Sequence, residues 1–251
     1  MKKEWKKLIL KNFDKAAINY NKAAKIQEIF ALKLALECKK VDIPKGIWID
    51  LGTGTGFLAD ALEKFNPNQS VIRVDNSSSM LTQHNKYSAS ILWDLNFGLP
   101  ELPSRPKLIA SNFSIHWLET PSKKISQWFN SLAPGGFLAL AVPLEGSFKE
   151  WKEASERTDT PFSALTFPSQ NSLIKTLQND VITCKKIIEY RQEAISPISL
   201  LKPIIEVGAH TTPKEKLTTG ELRRLMKAWP KSSSIEKVSL TWLVQILIAK
   251  K

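Results

Sequence analysis

Asp50-Leu51-Gly52-Thr53-Gly54-Thr55-Gly56 is the stretch of this chain with the most evident chemistry. Glycines at alternate positions let the backbone take positive φ and approach a ligand with no Cβ in between. Ile47-Trp48-Ile49 before it reads as a buried strand, and Leu58-Ala59-Asp60-Ala61-Leu62 after it as a helix, so the glycines mark a strand-to-helix turn. The spacing excludes two phosphate binders. A dinucleotide fingerprint needs Gly-x-Gly-x-x-Gly or Ala, but the last position is Phe57, and no Gly-Lys-Ser/Thr follows as a P-loop requires. Asp75 ends a second strand-like run, Ser70 to Val74, where a carboxylate can accept both hydroxyls of a ribose. Asp94 closes a third, Ile91-Leu92-Trp93, in position to face the exocyclic amine of adenine. Acidic or glycine features at three successive strand ends imply a cofactor containing adenosine.

Other catalytic residue types are scarce. Three histidines far apart give no ligand spacing, and Cys38 and Cys184 can form neither a disulfide framework nor a four-ligand zinc site, so a reducing, cytoplasmic setting is expected. The basic start Met1 to Lys7 leads only to Leu8-Ile9-Leu10, too short for a signal-peptide core, and no apolar run approaches the ~20 residues of a membrane helix. Hydrophobic residues at 43% and charged residues at 24% exclude disordered, collagen-like and coiled-coil classes.

The elements that must carry these residues alternate. A helix is expected over 12–40, from apolar positions three and four apart. Strand, glycine turn and helix follow, then the strand before Asp75 and a helix opening at Ser77-Ser78-Ser79. The third strand ends at Asp94, and a fourth, Lys107 to Ser111, leads into Asn112. Trp117 to Leu132 reads as a helix, and Phe137 to Val142 as a fifth strand stopped by Pro143. Beyond it come a polar helical insert to about Phe167, helices at Gln170–Gln178, Pro197–Val207 and Thr219–Trp229, and strands at Thr183–Tyr190 and Val238–Ile248. This rhythm predicts an α/β fold with a mostly parallel, doubly wound sheet of seven strands, helices on both faces and helical inserts over the site. One domain is expected, with a helical cap over 1–40, a cofactor-binding core over 41–143 and a C-terminal half over 144–251.

The glycine turn, Asp75, Asp94 and Leu132-Ala133-Pro134-Gly135-Gly136-Phe137-Leu138 together resemble the class I S-adenosylmethionine-dependent methyltransferases, with a Rossmann-like fold. The resemblance implies that Gly52, Thr53, Gly54 and Gly56 hold the methionine part of S-adenosylmethionine, with Asp50 near its amino group, Asp75 on the ribose and Asp94 on adenine. It carries over Asn76, Met80, Leu95 and Asn112 as further cofactor contacts. Thr53 stands where many members have Cys, a position that serves through backbone and packing. Exocyclic-amine methyltransferases acting on bases or glutamine typically show Asn-Pro-Pro-Tyr or a close variant after the fourth strand, but this chain has Asn112-Phe113-Ser114-Ile115-His116-Trp117, which argues against that branch.

Asn12 to Ala17 with Tyr20, Leu144 to Trp151, and the tail segments Leu200-Leu201-Lys202, Val207-Gly208-Ala209, Leu217 to Leu222, Ala228-Trp229-Pro230 and Leu240-Thr241-Trp242 are similar to the malonyl-acyl-carrier-protein O-methyltransferases of biotin synthesis. That family implies methylation of the free carboxylate of a malonyl thioester on acyl carrier protein. A carboxylate is ionised at neutral pH and needs no general base, so the shortage of His and Cys is no obstacle. Tyr20, with Phe13 and Trp117, is expected to close the pocket, and His116 to contact substrate or cofactor. Lys202 or Arg191 is expected to meet the malonyl carboxylate. Another O-methyltransferase of the same fold acting on a small molecule is the alternative.

The charge is concentrated at the two ends. Residues 1–40 carry 11 Lys and Arg against 4 Asp and Glu, residues 185–251 carry 13 against 6, and the middle is close to neutral. A basic rim of this kind suits an acidic partner, and Arg223, Arg224 and Lys227 are its expected contacts with the carrier protein. No recognised nucleic-acid motif accompanies the charge, which disfavours nucleic acid, and no membrane partner is expected.

Overall fold

The computed structural model describes residues 2–177, 181–210, 214, 216–231 and 237–251. In chain order they form α1 (Lys2–Ala16), α2 (Tyr20–Ala23), α3 (Lys25–Cys38), β1 (Trp48–Leu51), α4 (Phe57–Phe65), β2 (Val71–Asp75), α5 (Ser78–Leu81) and β3 (Ser90–Leu92). Then come β4 (Leu108–Asn112), α6 (Pro121–Ser131), β5 (Phe137–Pro143), α7 (Lys149–Arg157), α8 (Gln170–Ile174), β6 (Ile182–Ala194), α9 (Pro197–Glu206), α10 (Thr219–Lys227) and β7 (Val238–Lys250).

The strands build one seven-stranded sheet in the order β3-β2-β1-β4-β5-β7-β6. The first five run parallel, while β7 is antiparallel to β5 and β6 antiparallel to β7. Every residue of β1 and β5 is buried, as strands covered on both faces should be. Alternate β5 residues enter two separate cores. Phe137, Ala139 and Ala141 join Phe30 and Leu34 of α3, Leu58 and Leu62 of α4 and Leu200 and Leu201 of α9. Leu138, Leu140 and Val142 join Ile125 and Trp128 of α6 and Leu173 of α8. The order in which strands are added reverses between the parallel neighbours β1 and β4, so their carboxyl ends open the crevice where ligands bind in such sheets.

Three helical expectations change. The single helix expected over 12–40 is three, interrupted by a 3-10 turn at Ala17–Asn19 and by Ala24 at φ −82°, ψ 42°. Asn19 leaves helical geometry at φ −107°, ψ 2°, its side chain accepting from Lys22 Nζ at 3.3 Å, and Tyr20 just beyond the break lines the crevice. The helix expected from Trp117 starts at Pro121, because proline bars Thr120 from helical ψ and itself suits the first turn. Ile115–Trp117 is instead one 3-10 turn. The helix expected over Gln170–Gln178 ends at Ile174, and Gln178 itself lies outside the described residues.

The insert after β5 is pinned by a buried carboxylate. Glu150 of α7 accepts from the Thr241 backbone N–H at 2.9 Å, from the Thr241 hydroxyl and from Ser239 Oγ at 3.3 Å. Glu150→Ala strands those donors in the core, and a loss of about 2–3 kcal/mol in urea unfolding is expected. A loss below about 0.5 kcal/mol would show that α7 is held by its aromatic contacts alone.

Candidate active site

The glycine turn is fixed to the end of β2. Gly52 and Thr53 N–H groups both donate to Val74 O, at 2.8 and 3.0 Å. Gly54 N–H donates to Asp75 Oδ2 at 2.8 Å, and Ser77 N–H to Asp75 Oδ1 at 2.9 Å. Two of the glycines are required by geometry. Gly52 has φ +69° and a Cβ there would sit 1.8 Å from Ser114 Oγ; Gly54 has φ +55° and a Cβ would point into open space.

That space is a cavity of about 130 Å³. Asp50, Gly52, Thr53, Gly54, Asp75, Asn76, Met80, Asp94, Leu95 and Asn112 all line it, so the structure brings ten of the sequence-derived cofactor positions together. Gly56 is not among them; it caps α4 in the left-handed region. A second cavity of about 430 Å³ adjoins the first, and Phe13, Tyr20, Gln27, Phe113 and Trp117 line both. His116, Phe148, Trp151, Phe167 and Trp242 add to its aromatic wall. Phe148 and Trp242 lie 4.5 Å apart centroid to centroid, and Phe167 stands edge-on to His116 at 5.2 Å. Phe113 and Phe148 hold positive φ, 53° and 66°, a conformation costing about 1–3 kcal/mol in non-glycine residues that here accompanies two cavity-lining rings.

Burial sets the electrostatics. It pushes Asp50 up to about 7, against the hydrogen bond it accepts from Thr53 Oγ1 at 2.7 Å. Asp75 is raised for the same first reason, and the Tyr20 phenol is raised well above its ordinary range. His116 is pushed down to about 3, so its imidazole is neutral at physiological pH. Three acceptor oxygens on lining residues of the smaller cavity, Asp50 Oδ1, Gln27 Oε1 and Asn112 Oδ1, are buried without a hydrogen-bond partner among the described residues. Acceptors of this kind suit a ligand bringing an ammonium, and two further carboxylates, Asp75 and Asp94, line the same cavity. The residues present therefore fit S-adenosylmethionine, which has an ammonium, a ribose diol and an adenine amine.

Both expected carboxylate-binding cations lie elsewhere. Lys202 is 70% exposed and pairs with Glu206 at 3.6 Å; Arg191 pairs with Glu193 at 3.7 Å. Neither lines either of these two cavities. Lys216 and His210 line the larger one instead. Sequence reasoning missed these two, together with Gln27, Phe148, Phe167 and Trp242 as cavity-lining residues.

A family model described as a methyltransferase domain matches residues 19–179. The chain belongs to this methyltransferase family. It is a methyltransferase that uses S-adenosylmethionine as methyl donor. Malonyl-[acyl-carrier protein] O-methyltransferase 2 of Coxiella burnetii is 27% identical over 251 residues, covering 98% of this chain and 96% of that one. Trans-aconitate 2-methyltransferase of Deinococcus radiodurans is 34% identical over 98 residues, 38% of this chain and 37% of that one. A SAM-dependent methyltransferase from Archaeoglobus fulgidus has a similar fold, with a TM-score of 0.51 at 15% identity, covering 90% of this chain and 94% of the other. No helix among the described residues is long and apolar enough to cross a membrane.

Proposed function

We propose that this enzyme methylates the free carboxylate of a malonyl group carried on acyl carrier protein, forming its methyl ester. The observation that carries the reading is the larger cavity, which adjoins the methyl-donor site and is lined by no Asp or Glu among the described residues. Of the two histidines on its wall, the buried one, His116, is too weak a base to deprotonate an alcohol or amine. An acceptor that is already nucleophilic at neutral pH and meets no like charge suits this wall, and a carboxylate satisfies both. The name and near full-length match of the Coxiella relative support the malonyl carrier as the form in which it arrives.

S-adenosylmethionine supplies an electrophilic methyl group on a positively charged sulfur. The chain's own residues bind and orient. In this reading the acceptor oxygens of Asp50, Gln27 and Asn112 take the ammonium, and the Asp75 and Asp94 carboxylates take the ribose and adenine. Tyr20, Phe13 and Trp117, which line both cavities, exclude water from a weak nucleophile and present aromatic faces to the cationic sulfur. Lys216 replaces Lys202 and Arg191 as the cation facing the malonyl carboxylate. Arg223, Arg224 and Lys227 are exposed on α10, whose Leu222 lines the larger cavity, and they suit the acidic carrier.

Intact-mass analysis of malonyl-loaded carrier after incubation with enzyme and S-adenosylmethionine tests the reading. One added methyl group on the malonyl carrier, absent from acetyl carrier and removed by mild ester hydrolysis, is the expected result. Methylation of free malonate or trans-aconitate with no dependence on carrier would instead favour a small-molecule carboxylate. Lys216→Ala is expected to raise KM for malonyl carrier about tenfold with little change in kcat, and an unchanged KM removes Lys216 from the site.

A further inference from the structure

Behind the glycine turn, lining neither cavity, His84 follows α5 in a loop and places its Nε2 2.8 Å from the carbonyl oxygen of Gly54. A carbonyl only accepts, so Nε2 carries the proton and the neutral ring leaves a lone pair on Nδ1. That Nδ1 is buried and has no hydrogen-bond partner among the described residues. Gly54 is thereby gripped on both sides: its N–H by Asp75 at 2.8 Å, its C=O by His84. The same imidazole packs against the next glycine of the turn, where a Cβ on Gly56 would come within 3.4 Å of the ring.

We propose that His84 is a positioning residue for the methyl-donor site: its neutral Nε2–H form holds the Gly54 carbonyl and fixes the turn in its binding shape, and protonation releases it. The inference rests on the chain's use of S-adenosylmethionine and is independent of the acceptor.

The surroundings give the sign. A second proton would go to Nδ1, which has no acceptor in its wall. The charged groups facing the ring are Arg73 of β2 and Asp60 and Glu63 of α4, and both carboxylates are already paired with Arg73, at 2.7 and 2.6 Å. Burial first, then Arg73, depresses the basicity of the ring, outweighing the Gly54 carbonyl and the two carboxylates. An imidazolium in this place would still donate Nε2–H to Gly54 but would bury an unpaired Nδ1–H, so protonation favours displacement of the ring, and displacement frees the Gly54 carbonyl. Cofactor affinity is full while His84 is neutral and falls as the pH drops below the ordinary histidine range.

The test is calorimetric titration of the full-length protein with S-adenosylmethionine between pH 5 and 8, for wild type, His84→Ala and His84→Gln. His84→Ala is expected to raise Kd about tenfold at pH 7.5, the loss of one hydrogen bond to a fixed backbone group. His84→Gln offers an uncharged N–H, and is expected to stay within about threefold of wild type at pH 7.5 while losing the steeper acid limb, keeping only the contribution of Asp50. Equal Kd for His84→Ala and wild type, or a wild-type acid limb in His84→Gln, would overturn the proposal. Nitrogen NMR of the wild-type imidazole gives a check that needs no variant. A proton on Nε2 with Nδ1 bare, and a Gly54 amide signal that titrates with the ring, is expected; a proton resident on Nδ1 refutes the role.

Discussion

Asp75→Ala is expected to raise the Kd for S-adenosylmethionine at least about 100-fold, measured by calorimetry. Asp75 accepts two backbone N–H groups, from Gly54 and Ser77, and its carboxylate lies on the wall of the cofactor cavity. Removing it leaves both donors without their acceptor, loosens the glycine turn at Gly54 and takes away the proposed partner of the ribose diol. Charge-assisted hydrogen bonds are worth roughly 1.5–3 kcal/mol each, and losing the equivalent of two is about 100-fold in affinity. Asp75→Asn separates shape from chemistry. An amide fills the same space but turns its NH₂ toward one of the two backbone donors, so it too is expected to bind weakly while unfolding at nearly the wild-type temperature. A Kd within threefold of wild type in Asp75→Ala would remove Asp75 from the site.

The cofactor side of this site was legible because its chemistry is written in short range. A strand, a turn that only glycine can make and an acid at the next strand end are all local patterns, and β1, α4, β2 and Asp75 fall where those patterns put them. The acceptor side is assembled from distant segments. Phe113, Phe148, Trp151, Phe167 and Trp242 meet only in the folded chain, and Phe113 and Phe148 take left-handed backbone that no Gly or Asn announces. Lys202 and Arg191 lie away from both cavities for local geometric reasons. Leu201 lines the cavity, and one residue further on a helix is about 100° round, which sends Lys202 to solvent. Tyr190 packs against Phe30, so along a strand of period two Arg191 takes the opposite face. Pro121, by contrast, was a readable helix start, since proline suits the first turn and bars the residue before it from helical geometry.

Asp50 is expected to make cofactor binding release protons. In the free protein burial raises its pKa from 3.8 to about 7, and one carboxylate oxygen has no hydrogen-bond partner among the described residues. An acid raised on folding binds protons more tightly in the native than in the unfolded chain, so its contribution to stability is full below about pH 4 and is lost as the pH rises toward 7. A shift of this size corresponds to about 4 kcal/mol against the charged form at neutral pH. An ammonium placed at the bare oxygen reverses that preference. Binding at pH 6 therefore expels close to one proton, and at pH 8.5 none. Calorimetry in buffers of different ionisation enthalpy reads this number directly. The gain in Tm from a fixed concentration of S-adenosylmethionine should likewise grow between pH 5 and 8, because the carboxylate that receives the ammonium is formed over that range. Asp50→Asn keeps the hydrogen-bonding shape toward Thr53 but cannot form the anion. Its stability should not fall between pH 4 and 7 as the wild type's does, and its proton release at pH 6 should vanish while its Kd at pH 8 rises at least tenfold. Proton release persisting undiminished in Asp50→Asn would place the titrating group elsewhere in the site, with Asp75, also raised by burial, as the next carboxylate to replace.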